Sequence, residues 1–179
     1  VALCGTADMN GGQAALALLW PLELFAKDWC PKFVNPVSDM IFDARYKGEK
    51  GPSQWVTSDV ERRQVFIDDP MAGIDISVNF DWNMIKAFGR IYKKENIAKI
   101  SPNVRIGIFS GDMDPIGGTK SSKAKKLLRR YRKAGLNADI HIYKDARHEL
   151  HNEKCRDEYF RDIVGFFDSA ISAAEPAAV

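Results

Sequence analysis

Cysteine is scarce in this chain, and histidine is no commoner. Cys4, Cys30 and Cys155 are scattered over 179 residues, without the close pairs that hold zinc or form a redox C-x-x-C. An odd, dispersed set argues against a disulfide framework and fits a reducing, cytoplasmic compartment. Long hydrophobic runs are also missing. The oiliest stretch, 13–29, is too short to span a bilayer, and Pro21 and Glu23 interrupt it. No basic segment precedes the first apolar run, as a secretory leader would require. Neither sign of charge dominates. The 26 basic and 24 acidic residues leave a net charge of +2, so no global field draws the chain to nucleic acid or an anionic membrane.

What is present reads as a soluble α/β domain. The length is that of one domain, with room for an insertion. "VALCG" (1–5) is a short apolar run ending in Gly, as a buried parallel strand would be. "TADMNGG" follows as a loop. The oily stretch 13–29 reads either as a buried core helix or as a lid helix facing an apolar ligand. Residues 30–67, with Pro31, Pro36 and Pro52, read as irregular, and so long a stretch is usually a lid or binding loop. In 78–93, Trp82, Ile85, Phe88, Gly89 and Tyr92 recur at helical spacing.

The last third is the most regular. "VRIGIFSG" (104–111) reads as a strand, and 117–135 as an amphipathic helix with Ala124, Leu127, Leu128, Tyr131 and Ala134 inward. Thr119 or Ser121 is placed to cap that helix. "NADIHIY" (137–143) alternates like a strand near a sheet edge. The closing helix, 152–172, has Phe160, Ile163, Val164, Phe167 and Ile171 as its expected core face, and "AAEPAAV" is expected to fray. Alternating strands and helices with short links imply parallel strands and right-handed crossovers.

Ligands and catalytic groups of such sheets gather outside the carboxyl ends of the strands. Two loops there carry chemistry. "SGDMDP" holds Asp112 and Asp114; "DARHELHNE" holds His148 and His151. Adjacent parallel strands would set an acid beside an imidazole. A carboxylate on one ring nitrogen fixes the tautomer and leaves the other nitrogen for proton transfer. The bland alternatives are a turn-forming Asp beside Pro115 and surface histidines. The two aspartates have no third acidic ligand near in sequence, so a metal site is not expected. Eight of the 26 basic residues crowd 120–133, on the faces opposite the Leu stripe, and read as a solvated outer face rather than a nucleic-acid patch.

These loops carry a family resemblance. "IFSGDMDPIGG" and "KLLRRYRKAGLNADIHIYKDARHELHNEKCRDEYFRDIVGFFD" resemble the C-terminal portion of α/β-hydrolase-fold serine hydrolases. The similar branch is the monoacylglycerol lipase/lysophospholipase-like one, also grouped as serine aminopeptidase S33. In that branch a Gly-x-x-Asp loop supplies the triad acid and an Arg-His-Glu loop supplies the base. Gly111 to Asp114 and Arg147-His148-Glu149 match those patterns, which implies Asp114 as acid and His148 as base. "LCGTAD" and "FIDDPMAG" resemble a post-nucleophile strand-turn and a cap-region turn.

The resemblance implies a core at 1–12 and 99–179 with a mostly helical cap at 13–98. It implies hydrolysis of carboxylic esters, no cofactor and no metal. The expected partner is a small, apolar acyl ester, with peripheral contact to membrane lipid left open. One part of the pattern is absent. No G-x-S-x-G occurs in the sequence. Nucleophile and oxyanion donors are therefore expected in a missing N-terminal part of the same fold, and the isolated chain is expected to be inactive. The alternative is a non-catalytic binding or interaction domain that kept the scaffold.

Overall fold

The computed structural model describes residues 1–9, 14–46 and 48–172. The tail expected to fray, the tip of the first loop and Gln13 lie outside the described residues. Three parallel strands form one sheet in the order β1–β2–β3: β1 (Ala2–Cys4), β2 (Ile106–Gly111) and β3 (Ala138–Tyr143). Leu3 pairs with Ile108, and Ile108 with Ile140. Every residue of β2 is buried, as a central strand covered on both faces must be. Its alternation sends Ile106 and Ile108 to one face and Phe109 to the other.

On the first face, β2 packs with Ala138 against α6 (Ser122–Lys133), which supplies Ala124, Leu127 and Leu128. Tyr92 and Ile97 close that layer. On the second face, Phe109 meets Tyr159 and Phe166 of α7 (Arg156–Ser172), both edge-on, at 6.0 and 5.8 Å. His141 stacks on Phe109 at 4.9 Å, which accounts for that strand histidine by packing.

The closing helix therefore buries a different stripe from the one its sequence suggested. Tyr159 and Phe166 are buried, and of the expected face Ile163 packs beside them, while Phe160, Val164, Phe167 and Ile171 are exposed. The helix is apolar on two faces, so periodicity alone cannot choose between them. The aromatic contacts with Phe109 decide, helped by the Tyr159 hydroxyl 3.1 Å from Cys4 Sγ. Ser121 also departs from expectation. It occupies the N-cap position of α6 without capping; its hydroxyl turns inward and donates to the Gly111 carbonyl at 3.1 Å.

Between β1 and β2 the described chain is helical: α1 (Ala14–Ala26), α2 (Val34–Asp43), α3 (Val60–Asp68), α4 (Val78–Ile91) and α5 (Lys94–Ile97). The irregular reading of 30–67 is thus corrected by two helices. Pro36 sits in the first turn of α2, where no intrahelical N–H is lost. Asp59 caps α3 by accepting from the Glu61 and Arg62 amides. The disruptive Pro and Gly residues gather outside both helices.

The core-helix reading of the oily stretch is also corrected. No residue of α1 is buried; Leu18 is 80% exposed and Phe25 84%. Helix α1 leans on α4, and Asn79 donates to Glu23 at 2.8 Å. The expected face of α4 does turn inward, with Tyr92 buried and its hydroxyl bonded to the Ala7 carbonyl at 2.6 Å. Among the described residues, no helix is long and apolar enough to cross a membrane.

Candidate functional site

β2 and β3 deliver their following loops to the same end of the sheet. Gly111 is why the loops can touch. A Cβ there would lie 2.1 Å from the Ala146 carbonyl and 2.4 Å from that of Arg147. Backbone meets backbone, and Met113 N–H donates to Ala146 O at 2.9 Å.

Asp114 is fully buried. One carboxylate oxygen accepts the Ile116 amide at 2.8 Å. Both oxygens lie 3.3 Å from Nδ1 of His148. An ionised carboxylate only accepts, so this contact places a proton on Nδ1 and leaves the Nε2 lone pair directed elsewhere. Among the described residues, none bonds Nε2. The ring is about a quarter exposed and reaches solvent at the loop surface.

Gly5, at the end of β1, packs against the imidazole. It has φ +57°, and a Cβ would sit 2.9 Å from Cε1. The "LCG" turn thus gives the ring its seat for a steric and a conformational reason at once.

The other sequence candidates fall outside this pair. Asp112 accepts the Asp145 amide at 2.8 Å and tightens the turn after β3. His151 is exposed, in a 3-10 turn (Leu150–Asn152) held by Glu149. Ser110 is fully buried, its hydroxyl within 3.4 Å of Ser121 Oγ and 3.3 Å of the Gly111 carbonyl. It offers no accessible nucleophile.

Several residues at the site had no role in the sequence reading. They belong to a strap, residues 45–46 and 48–58, that crosses both loops. On the acid side, Tyr46 donates to Met113 O at 2.7 Å and Arg45 to Asp114 O at 3.2 Å. On the base side, the His148 and Glu149 amides donate to Trp55 O at 3.3 Å and Val56 O at 2.9 Å. Arg147 is buried, stacks on Tyr46 at 4.0 Å, donates to Gln54 O at 2.5 Å and pairs with Glu49. Glu153, also buried, accepts from Ser58 Oγ at 2.5 Å and from the Ser58 and Arg147 amides, each at 2.8 Å.

The electrostatics follow from this packing. Burial pushes the Tyr46 phenol up to about 12, although Arg147 and Arg45 pull the other way. The Arg147 hydrogen bond holds the Glu49 carboxyl below its usual range. No pattern at short spacing could have revealed the strap, because its hydrogen-bonded partners in the two loops lie from 67 to 98 residues on. The one local signal was Trp55, a large aromatic in a loop rich in Gly and Pro. A cavity of about 450 Å³ opens behind the loops, lined by Ser58, Met113, Arg147, Glu153 and Cys155; neither Asp114 nor His148 lines it.

Comparison with known proteins adds to this geometry. A family model described as "Serine aminopeptidase, S33" matches residues 10–155. No curated protein is similar enough to count as a match. Among solved structures, the chain is similar to a thermostable carboxyl esterase from Bacillus coagulans in complex with glycerol. There the TM-score is 0.80 at 21% identity, over 95% of this chain and 56% of the esterase. A lipase in open form gives 0.75 at 25% identity, over 94% and 56%. A Paleococcus ferrophilus monoacylglycerol lipase gives 0.68 at 16%, over 95% and 58%. The chain thus spans just over half the length of these structures, and it has the parallel sheet and crossover helices of part of an α/β-hydrolase fold.

Proposed function

This chain belongs to the serine aminopeptidase S33 family of hydrolases, and on that premise we propose that it supplies the acid and base of a serine hydrolase acting on carboxylic esters. The observation that carries the reading is the contact of buried Asp114 with Nδ1 of His148 at the carboxyl end of a parallel sheet. In this mechanism Nε2 takes the proton of a nucleophilic serine hydroxyl as its oxygen attacks the ester carbonyl. Asp114 stabilises the imidazolium that forms. Nε2 then returns the proton to the departing alkoxide, leaving an acyl-enzyme, and deprotonates the water that hydrolyses it.

The serine and the oxyanion donors come, in this reading, from polypeptide preceding Val1, since α/β-hydrolases place the nucleophile before the acid and base. Residues 13–98 act as a cap over the site. The exposed apolar side chains of α1 favour an acyl chain as substrate, as in a monoacylglycerol lipase or lysophospholipase, and permit peripheral contact with lipid.

The test compares the 179-residue chain with the same chain joined to an upstream G-x-S-x-G half. Each is treated with a fluorophosphonate probe and a short-chain aryl ester. The joined protein should label and turn over ester, the isolated chain should do neither, and His148→Ala should abolish both activities. Stoichiometric labelling of the isolated chain would overturn the division of labour. A joined protein that folds but never labels would replace it with a non-catalytic interaction domain.

A further inference from the structure

The contact between Asp114 and His148 does not fix the imidazole by itself. At 3.3 Å it is at the long end for a hydrogen bond. One such bond is worth about 1 kcal/mol net, too little to hold a partly exposed ring in a single rotamer. A second restraint is therefore needed. We propose that Trp55 is a positioning residue for His148 and that helix α2 holds Trp55 in place. This rests on reading His148 as the base.

The indole and imidazole centroids are 5.1 Å apart with the rings tilted by 44°. Together with Gly5, Trp55 bounds the imidazole, leaving Asp114 to occupy Nδ1. The backbone repeats the coupling, because Trp55 O accepts the His148 amide. Trp55 is in turn gripped at three points by one turn of α2. Its amide donates to Asp43 Oδ1 at 2.8 Å, its indole N–H to Asp39 Oδ1 at 2.7 Å, and its ring meets Phe42 at 5.1 Å. Residues 39, 42 and 43 share a helix face by their spacing, so one rigid element sets all three contacts.

Ser53 makes the turn that brings the indole back. It has φ +55°, strained for a residue with a Cβ, and its hydroxyl donates to the second oxygen of Asp39 at 3.0 Å. A cavity of about 270 Å³, lined by Ser38, Asp39, Ser53, Trp55 and Phe66, borders the indole. The indole thus has space to move into if α2 releases it. A shift of α2 within the cap would be felt at the base through this one side chain.

Two measurements test the proposal. The first uses nuclear magnetic resonance on the isolated chain and needs no activity. The Nδ1–H proton of His148, identified by its absence in His148→Gln, should be visible in the wild-type chain. It should persist in Trp55→Phe. It should be lost to solvent exchange in Trp55→Ala and broadened in Asp39→Ala, where the indole is intact but released. Amide spectra confirm that each variant is folded.

The second measurement uses the joined protein. Trp55→Ala should lower kcat by about ten- to a hundredfold, the scale expected when a reacting group is misplaced by an ångström or less, with KM little changed. Trp55→Phe should recover most of that loss. An unchanged Nδ1–H signal in folded Trp55→Ala and Asp39→Ala chains would overturn the proposal, as would an unchanged kcat. If His148→Ala leaves ester turnover intact, the catalytic reading fails, while the resonance data still report whether Trp55 holds the ring.

Discussion

Two phenylalanines show how differently the halves of this molecule are built. Phe109 on the central strand is fully buried among His141, Tyr159 and Phe166; Phe25 on the oily helix is 84% exposed. The sheet half buries its central strand completely, although α7 leaves Phe160, Val164, Phe167 and Ile171 exposed. The helical half, α1 to α3, turns most of its large apolar side chains outward and touches the site mainly through the strap. Hydrophobicity alone therefore says little about where a side chain lies. What decides is whether the fold brings another element against it.

The same truncation in the two halves should separate them most sharply. Phe109→Ala removes a ring enclosed on both sides and should cost about 4 kcal/mol, from lost transfer free energy and the cavity left behind. Urea unfolding of the isolated chain measures it. A loss below about 1 kcal/mol would mean that the sheet half is not the stability core.

The strap that joins the halves has its own signature at high pH. The Tyr46 phenol is held up to about 12 in the folded chain, against an ordinary value near 10, because burial disfavours the anion. The folded state therefore keeps its proton where the unfolded state sheds it. Stability is fully present below pH 10 and falls as pH rises toward 12. Two units correspond to roughly 2–3 kcal/mol. At neutral pH, Tyr46→Phe should be the less stable protein by about 1 kcal/mol, through the lost bond to Met113 O. Near pH 12 the order should reverse. Denaturation curves at both pH values, wild type against variant, check the crossing. Parallel curves would show that Tyr46 is solvated and the strap loose.

The smallest effect belongs to the oily helix. Phe25→Ala should change unfolding free energy by less than about 0.5 kcal/mol, as for other exposed sites. A larger loss would erase the contrast between the halves and place a covering partner over α1 in solution.

The sequence made the two chemical loops legible because each is tied to a strand end. A strand announces itself by a short apolar run, and the loop that follows must emerge at the same edge of a parallel sheet. The two loops were found that way; the family resemblance singled out Asp114 and His148 within them, and the structure places those side chains in contact. Helix α6 was legible for a similar reason, because one apolar stripe and a charged remainder leave one way to pack. Helix α7 was legible as a helix but not in its phase, since two apolar faces fit the same period. The helices α2 and α3 were hidden by averaging their composition with the Pro and Gly residues between them.

By itself, then, the sequence determined the alternation of strands and helices and the two chemical loops, because hydrophobic period and turn composition are local properties. Tertiary structure alone decided three things. It chose which face of α7 is buried, through the aromatic cluster on Phe109. It left α1 uncovered among the described residues. It brought Trp55, Tyr46 and Arg147 together around the His148 loop, because a strap and its partners about a hundred residues apart share no sequence period.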